Sequence, residues 1–303
     1  MLLLLVALAL GWAFFHPTAR KPAGRHVATQ PTPAPPVEET PAATPSPALA
    51  PSASPTPAPV ESAPATSGPS APVAPTPRRA GIAGGPKLAL IIDDCGQWID
   101  TERGFVALPI PLTLAVLPYV HYTATIAREA SAAGKGVMLH LPMEPISEIY
   151  PGPGEIKTSM SNAQITAQTQ ADLAQVPLAQ GVNNHEGSKA TSSRRVMDDV
   201  MGVLAEHPGL FFIDSRTIAA SVAAEVASSD GVPSASRDVF LDDKANLAYT
   251  EGQLREAAAI AERTGSAIAI GHPRPTTLAA VTALYPELEA AGIRFVLVKS
   301  LTR

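Results

Sequence analysis

Short aliphatic runs alternate with segments of helical periodicity from Lys87 to the C-terminus. Near-continuous apolar runs of this length are typical of strands in a parallel sheet that is buried on both faces. The alternation predicts an α/β domain over residues 87–303, built from seven or eight βα units and closed as a barrel. The predicted strands are 88–92, 112–117, 136–141, 181–184, 210–213, 266–270 and 294–298, with a weaker one near 237–241.

Two pairs of polar residues predict helix starts. Ser161 with Gln164, and Thr250 with Gln253, have the three-residue spacing of a capping box, in which the two side chains satisfy free N–H groups of the first turn. After the second pair, apolar residues recur at helical spacing over positions 254–261. These patterns place helices between the predicted strands.

The first 86 residues follow a different pattern. Residues 1–15 are almost wholly apolar and no charge precedes Arg20, so residues 1–19 are predicted to be a membrane anchor, with a cleaved signal or a buried helix as alternatives. Residues 20–86 are rich in Pro, Ala, Thr and Ser and lack the apolar side chains that offset ordering entropy, which predicts a disordered linker. A long spacer suits a domain that acts some distance from the membrane, which in a bacterial envelope is the cell wall. The basic residues after the apolar run, taken alone, favour the opposite orientation.

Charge and cysteine content narrow the possible functions. The formal net charge is −5 and the folded part has no basic run, so the sequence argues against nucleic-acid binding. Cys95 is the single cysteine, which excludes an intramolecular disulfide and a cysteine-cluster metal site. The sequence leaves the oligomeric state open.

Polar residues stand at the ends of several predicted strands. Residues at the carboxyl ends of parallel strands line the active site of an α/β barrel, so these side chains should converge on one rim. They are Asp93, Asp94, His140, His185, Asp214, Ser215 and His272.

This set has the composition of a hydrolytic metal site. Asp94, His140 and His185 supply one carboxylate and two imidazoles, which can bind a divalent ion and leave positions open for water. We expect Asp93 to act as the general base and His272 to protonate the leaving amine. The predicted reaction is metal-assisted hydrolysis of an amide or ester.

Other polar and aromatic residues receive weaker predictions. Asp214 is expected to accept a hydrogen bond from one of the imidazoles. His121 follows a Pro-Tyr turn and His207 ends a helix, so both are predicted to be structural or surface residues, as is Cys95 in the core. Trp98 and Tyr119, near strand ends, are candidate platforms for a sugar ring.

Seven segments carry a resemblance to a known family. They are LALIIDDCG at 88–96, LAVLPY at 114–119, GKGVMLHLPMEP at 134–145, GVNNHEGSKAT at 181–191, FFIDSRT at 211–217, RDVFLDD at 237–243 and AIAIGHPRP at 267–275. In this order and spacing they resemble the divergent polysaccharide deacetylases, a bacterial branch related to NodB-type carbohydrate esterases. The resemblance implies a distorted (β/α) barrel and an Asp/His metal site that usually holds zinc.

Matching positions assign roles within that resemblance. Asp93 falls on the catalytic base, Asp94 on the metal-binding aspartate, and His272 on the late histidine that acts as acid. His140 falls on the first histidine of a His-x-x-x-His motif whose second position is Glu144 here. Either Glu144 or His185 could complete the metal site.

The sequence also departs from the ordinary deacetylases at a motif that acts on the catalytic base. The Arg-x-Pro-x-Gly motif of ordinary members, which tunes the base, has no clear counterpart, although Arg216 or Arg237 could substitute.

Three functions remain open at this stage. The leading hypothesis is a hydrolase of the bacterial cell envelope, anchored in the inner membrane with its domain in the periplasm or outside the membrane. It would remove N-acetyl groups from a glycan such as peptidoglycan. The alternatives are a glycan-binding or scaffolding module without turnover, and a metal-dependent hydrolase of another amide or ester.

Overall fold

The computed structural model describes residues 84–303. The predicted anchor at 1–19 and the predicted linker up to residue 83 lie outside the described residues. Within residues 84–303, the helices are too short or too polar to cross a membrane.

Strands and helices alternate along the described chain. The strands are β1 Lys87–Cys95, β2 Thr113–Val116, β3 Gly136–Met143, β4 Val182–Glu186, β5 Phe212–Asp214, β6 Ser234–Ser236, β7 Val239–Phe240, β8 Ser266–Gly271 and β9 Arg294–Val296. The α-helices are α1 Ile99–Ala107, α2 Thr123–Ala132, α3 Asn162–Gln175, α4 Arg194–Ala205, α5 Ala223–Ser229, α6 Leu247–Thr264 and α7 Pro275–Ala290. Short 3₁₀ turns occupy Ala190–Ser192 and Val298–Leu301. Every predicted strand overlaps an observed one, and β6 is an additional strand.

The strands form one parallel sheet in the order β6-β5-β4-β3-β2-β1-β8-β7, with β9 pairing to the first residues of β1. This confirms the α/β class. The sheet curls into a half-barrel rather than the predicted closed barrel, since its two end strands, β6 and β7, do not pair with each other. Between them the chain crosses from one sheet edge to the other: the N–H of Arg237 donates to the Asp214 carbonyl after β5, and the N–H of Asp238 donates to the Ile268 carbonyl in β8. We call residues 237–238 the seam.

Alternation along the strands divides the core into two layers. In β1, Leu88, Leu90 and Ile92 pack outward beneath the helices, whereas Ala89 and Ile91 point into the half-barrel. Burial on both faces explains why the strands read as continuous apolar runs. Because the strands are all parallel, their carboxyl ends lie at one rim of the half-barrel.

The helix starts agree with the sequence in one of two cases. Ser161 caps α3, with reciprocal hydrogen bonds to Gln164, as the spacing predicted. The prediction for Thr250 is wrong, because α6 begins earlier and Asn246 caps it by accepting from the N–H of Tyr249. Thr250 lies in the first turn of α6 and donates to the Asn246 carbonyl.

Candidate active site

The carboxyl end of β1 carries two adjacent aspartates that face the same rim. Neighbouring strand residues normally point to opposite faces, but the pairing of β1 with β2 shifts register between Ile92 and Cys95, and Asp94 has a left-handed backbone with a φ of 56°. Aspartate tolerates this conformation better than most residues. As a result, Oδ2 of Asp93 lies 3.7 Å and Oδ1 of Asp94 lies 3.2 Å from Nε2 of His140.

Three atoms that could bind a metal ion converge here, one each from Asp94, His140 and His185. Oδ1 of Asp94 is 2.8 Å from Nδ1 of His185, and the two imidazole nitrogens of His140 and His185 are 3.1 Å apart. Oδ1 of Asp94 is buried and has no hydrogen-bond partner among the described residues, which is costly unless another group satisfies it. One carboxylate oxygen and two imidazole nitrogens are donors that a divalent ion of the zinc type accepts. The three residues therefore fit such an ion and form a possible Asp–His–His metal site.

Asn183 organises this cluster from below. Its Oδ1 accepts from Nδ1 of His140 at 2.8 Å, which assigns the proton of that imidazole to Nδ1 and leaves Nε2 with its lone pair towards Asp94. Its Nδ2 donates to Oδ1 of Asp93 at 2.8 Å. The sequence analysis overlooked Asn183, although its position two residues before His185 in β4 places both on the same face of the strand.

Burial and charge shift the pKa values at this centre. Burial raises the pKa of Asp93, and the nearby His140 and His272 only partly oppose this shift. Burial also acts to raise the pKa of Asp94, but the neighbouring imidazoles of His140 and His185 outweigh it, and the pKa lies well below the ordinary value. The carboxylates overcome the opposing effect of burial on His140 and raise its pKa to about 9. Protons thus compete with a cation for this site.

A second dyad stands on the other side of the aspartate pair. His272 follows β8, and its Nδ1 bonds to Oδ1 of Asp242 at 2.9 Å, while its Nε2 lies 3.7 Å from Oδ2 of Asp94. Asp242 is fully buried and also accepts from the N–H of His272 and from Oγ1 of Thr277. Burial acts to lower the pKa of His272, but Asp242 and Asp94 outweigh it and raise this pKa. His272 therefore presents Nε2 to the centre in a fixed orientation.

Asp214 was predicted to accept a hydrogen bond from an imidazole, but Asn183 and Asp242 are the residues that do so. Oδ1 of Asp214 accepts from the N–H of Arg216 at 2.8 Å, so it holds the turn after β5. The neighbouring Ser215 receives a hydrogen bond from Asn183. Asp242, which bonds to His272, could have been selected from the sequence because it also follows an apolar segment. However, that segment, near 237–241, was the weakest of the predicted strands.

Glu144 lies apart from the three donor atoms. Its Oε1 accepts from Nζ of Lys189 at 2.6 Å, and its Oε2 accepts from the N–H and Oγ1 of Thr158, each at 2.6 Å. This carboxylate therefore ties the loop after β3 to the segment after β4. Of the two residues left open by the sequence, His185 is the one beside Asp94.

The aspartates and histidines open into a cavity of about 890 Å³ whose wall includes Arg216 and Arg237. An adjacent cleft of about 430 Å³ is lined by Trp98 together with Asp94 and His272. The indole of Trp98 is half exposed at this cleft. Trp98 thus lies beside the reacting groups, and Tyr119 borders neither of these two spaces.

The remaining histidines and the cysteine lie elsewhere. His121 packs edge-on against Tyr122, with ring centroids 4.4 Å apart, and Nδ1 of His207 bonds to the Val203 carbonyl. Cys95 is fully buried in the outer core layer. The structural assignments made for these three residues agree with their positions.

Backbone strain concentrates at the same rim. Among the described residues, the non-glycine residues with positive φ are Asp94, Tyr119, Glu186 and Arg216. Each lies at or just beyond the carboxyl end of a strand, namely β1, β2, β4 and β5. Such conformations cost about 1–3 kcal/mol and are typical of functional sites.

A curled parallel half-barrel that carries aspartates and histidines at its strand ends defines an α/β fold of the polysaccharide deacetylase class. The family model described as divergent polysaccharide deacetylase matches residues 90–302. The chain belongs to this family.

The chain is also similar to two curated bacterial proteins and to one protein of known structure. An uncharacterized protein of Haemophilus influenzae is 39% identical over 197 residues, which cover 65% of this chain and 70% of that protein. The uncharacterized protein YibQ of Escherichia coli is 40% identical over 192 residues, which cover 63% of this chain and 60% of YibQ. The crystal structure of the uncharacterized protein ATU2773 from Agrobacterium tumefaciens superposes with a TM-score of 0.69 at 23% identity, over 74% of this chain and 92% of that one. This last likeness establishes the fold.

Proposed function

We propose that this protein is a metal-dependent hydrolase that removes N-acetyl groups from a cell-envelope glycan such as peptidoglycan. The observation that carries the proposal is the buried, unpartnered Oδ1 of Asp94, which faces nitrogen atoms of His140 and His185. Membership of the deacetylase family supports the glycan and the reaction type.

The three proposed metal ligands and Asp93 act in the first half of the reaction, in which water attacks the carbonyl carbon. Asp94, His140 and His185 would hold a divalent ion, which we propose is zinc and which acidifies water and polarises a carbonyl when bound. Asp93 accepts the proton of the attacking water at Oδ2, the oxygen that faces His140, while Asn183 holds Oδ1. Because burial raises the pKa of Asp93, this carboxylate is a stronger base than an exposed aspartate.

His272 supplies the proton for the second half of the reaction. Asp242 holds the proton on Nδ1 and favours the imidazolium, so Nε2 can donate to the nitrogen of the leaving amine. Since Asp242 is fully buried and bonded three times, the imidazole keeps its direction during the proton transfer. Base and acid then stand on different sides of Asp94.

Location forms part of the proposal. The apolar residues 1–19 anchor the protein in the inner membrane, and the Pro/Ala-rich residues 20–86 carry the domain to the glycan on the far side. The predicted partners are therefore the glycan and the membrane.

One observation favours a second candidate, a glycan-binding or scaffolding module without turnover. Asp93 forms no ion pair with an arginine in residues 84–303, since its charged neighbour within 4 Å is His140. In the ordinary deacetylases that the sequence resembles, the base is tuned by the arginine of an Arg-x-Pro-x-Gly motif, which has no clear counterpart in this sequence. A hydrolase of another amide or ester would use the same centre with a different substrate.

Acetate release from N-acetylated glycan, together with metal content, tests these candidates. The full-length protein should bind about one divalent ion per chain, and His140→Ala and His185→Ala should each lose it. Asp93→Asn should keep the metal and lose about 10²–10⁴-fold in acetate release. The matched variant Asp230→Asn changes an exposed carboxylate on the far end of α5 and should retain wild-type rates.

The outcomes separate the candidates. Metal binding with glycan affinity but no acetate release would replace the hydrolase with the binding module. Turnover of a non-glycan amide or ester in place of the glycan would select the third candidate. Wild-type rates in Asp93→Asn would remove that residue as the base.

A further inference from the structure

Three arginines line the cavity. Arg274 donates to the Asp242 carbonyl, whereas Arg216 and Arg237 lie next to each other. Arg103, Arg194, Arg195, Arg255 and Arg263 all form ion pairs with carboxylates within 4.0 Å. In residues 84–303, no carboxylate lies within that distance of the guanidinium of Arg216 or Arg237. Both arginines line the cavity that holds the aspartates and histidines, on a wall that also carries acidic residues such as Asp238 and Asp243.

Arg237 is held rigidly at the seam. Its Nε donates to the Ser215 carbonyl at 2.7 Å and its Nη2 to the Arg216 carbonyl at 3.0 Å, and its guanidinium lies 5.0 Å from the ring centroid of Phe240. A guanidinium has five N–H donors, so these two bonds leave donors on Nη1 and Nη2. A fixed plane with free donors is prepared for an acceptor, because little freedom remains to be lost on binding.

Arg216 is placed beside it by a strained turn. Its backbone has a φ of 49°, and its N–H bonds to the carboxylate of Asp214. Its side chain is exposed, and its carbonyl accepts from Arg237, so the two residues are directly linked. Together they also line a hollow of about 350 Å³ that adjoins the cavity.

Within residues 84–303, Arg216 and Arg237 form no ion pair with the proposed base. Neither guanidinium lies within ion-pair distance of Asp93 in the described chain. The acidic neighbour Asp238 is occupied by the N–H of Ile268, which it accepts at 2.8 Å. The pair is therefore available for a group that comes from outside.

The reacting groups stand between two different surfaces. On one side, the cleft at Trp98 offers an aromatic face, which suits the apolar face of a sugar ring. On the other, the two guanidiniums offer forks that match a carboxylate in geometry and charge. A substrate that fills both has an N-acetyl sugar at the centre and an anionic group next to it.

We propose that Arg216 and Arg237 form a subsite for a carboxylate on the glycan substrate, adjacent to the sugar that presents its N-acetyl group to Asp94 and His272. This inference rests on the proposed function and specifies its substrate class as an acidic N-acetylated glycan. A neutral N-acetylated glycan leaves the subsite unused.

The test compares two ligands that differ in one group. Isothermal titration of the full-length protein uses an N-acetylated oligosaccharide with one carboxylate and the same oligosaccharide with that carboxylate converted to a primary amide. We expect the carboxylate to bind about tenfold more tightly or better at low salt, with the advantage shrinking as salt rises. Arg216→Gln should lose most of this preference and leave the affinity for the amide unchanged.

Matched variants and a parallel assay make each outcome decisive. Arg128→Gln removes an exposed arginine on α2 and should keep the full preference. Arg237→Lys keeps the charge but not the fork, and a thermal melt reports whether it remains folded. Equal affinity for the two ligands, or a preference that survives Arg216→Gln and a folded Arg237→Lys, overturns the subsite. Acetate release without preference rejects the subsite alone, whereas preference without acetate release rejects the proposed function alone.

Discussion

Asp172, in α3, is a carboxyl group buried beneath the loop that carries Gly154. A Cβ at Gly154 would lie 2.6 Å from Oδ1 of Asp172, so the loop packs directly on the carboxyl group. Oδ1 accepts from Nε2 of Gln168 at 2.8 Å, and Oδ2 is buried without a partner. Burial raises the pKa of Asp172 to about 7, and the nearby polar groups of Gln168 and Tyr119 oppose this only in part.

The sign of the resulting pH dependence follows from the direction of the shift. A carboxyl group whose pKa is higher in the folded state contributes stability when protonated, fully below the unfolded pKa of 3.8. That contribution is lost as the pH rises through about 7. A shift of about three pKa units corresponds to about 4 kcal/mol, so wild-type stability should fall by up to about that amount between pH 4 and pH 8.

Asp172→Asn removes the titration and keeps the shape of the protonated acid. Its Oδ1 can still accept from Gln168, while its amide nitrogen takes the place of the unpartnered Oδ2. The variant should therefore be more stable than wild type at pH 8, by about 2–4 kcal/mol, and equal or less stable at pH 4. Urea unfolding monitored by circular dichroism from pH 4 to pH 8 measures the difference directly.

The pH dependence of the stability difference between Asp172→Asn and wild type tests this explanation. Asp230→Asn, at an exposed site, should give a difference from wild type that does not change with pH. If the difference between Asp172→Asn and wild type is equally flat, the carboxyl group is not protonated in the folded protein and the reasoning from burial is wrong.

Three further changes test the site and its frame. Asp242→Asn should lower acetate release by about 10²-fold without loss of metal, because the imidazolium of His272 loses its counter-charge; an unchanged rate and pH profile would contradict this role. Gly181→Ala should destabilise by about 1–3 kcal/mol in urea unfolding, since its Cβ would lie 2.5 Å from the buried ring of Phe211. Gly202→Ala, in α4 with no atom within 4 Å of the new Cβ, should instead stabilise by about 0.5–1 kcal/mol, and a loss would contradict the open space there.

The sequence predicted those parts of the fold that depend on local pattern. The runs that became β1, β3 and β8 are buried on both faces, so they are apolar at most positions and stand out from their surroundings. Strands β6 and β7 have three and two residues and are held by partners distant in sequence, so β7 was predicted only weakly and β6 was not predicted. The helix start at Thr250 failed for a related reason, since Asn246 offered a competing cap that the capping-box spacing did not detect.

Some residues of the candidate site could likewise be predicted from local sequence, and others could not. Asp94, His140 and His185 could be selected because each ends a strand that the sequence shows clearly. Asn183 bonds to His140 and Asp242 bonds to His272, and such partners are set by the register of neighbouring strands. Register pairs β3 with β4 and β7 with β8, and only the structure supplies it.

The position of β1 at the centre of the sheet has a consequence for how the protein folds. This strand is the earliest in the described chain, yet it pairs with β8 from Lys87↔Ser266 to Ile92↔Gly271. One edge of β1 therefore stays open until the last quarter of the chain is available, and pairing over such sequence distances makes folding slow. His272 follows that late strand, so an intermediate without β8 lacks the proposed acid of the reaction. An intermediate that lacks β8 exposes a central apolar edge, and it is the species most prone to aggregate.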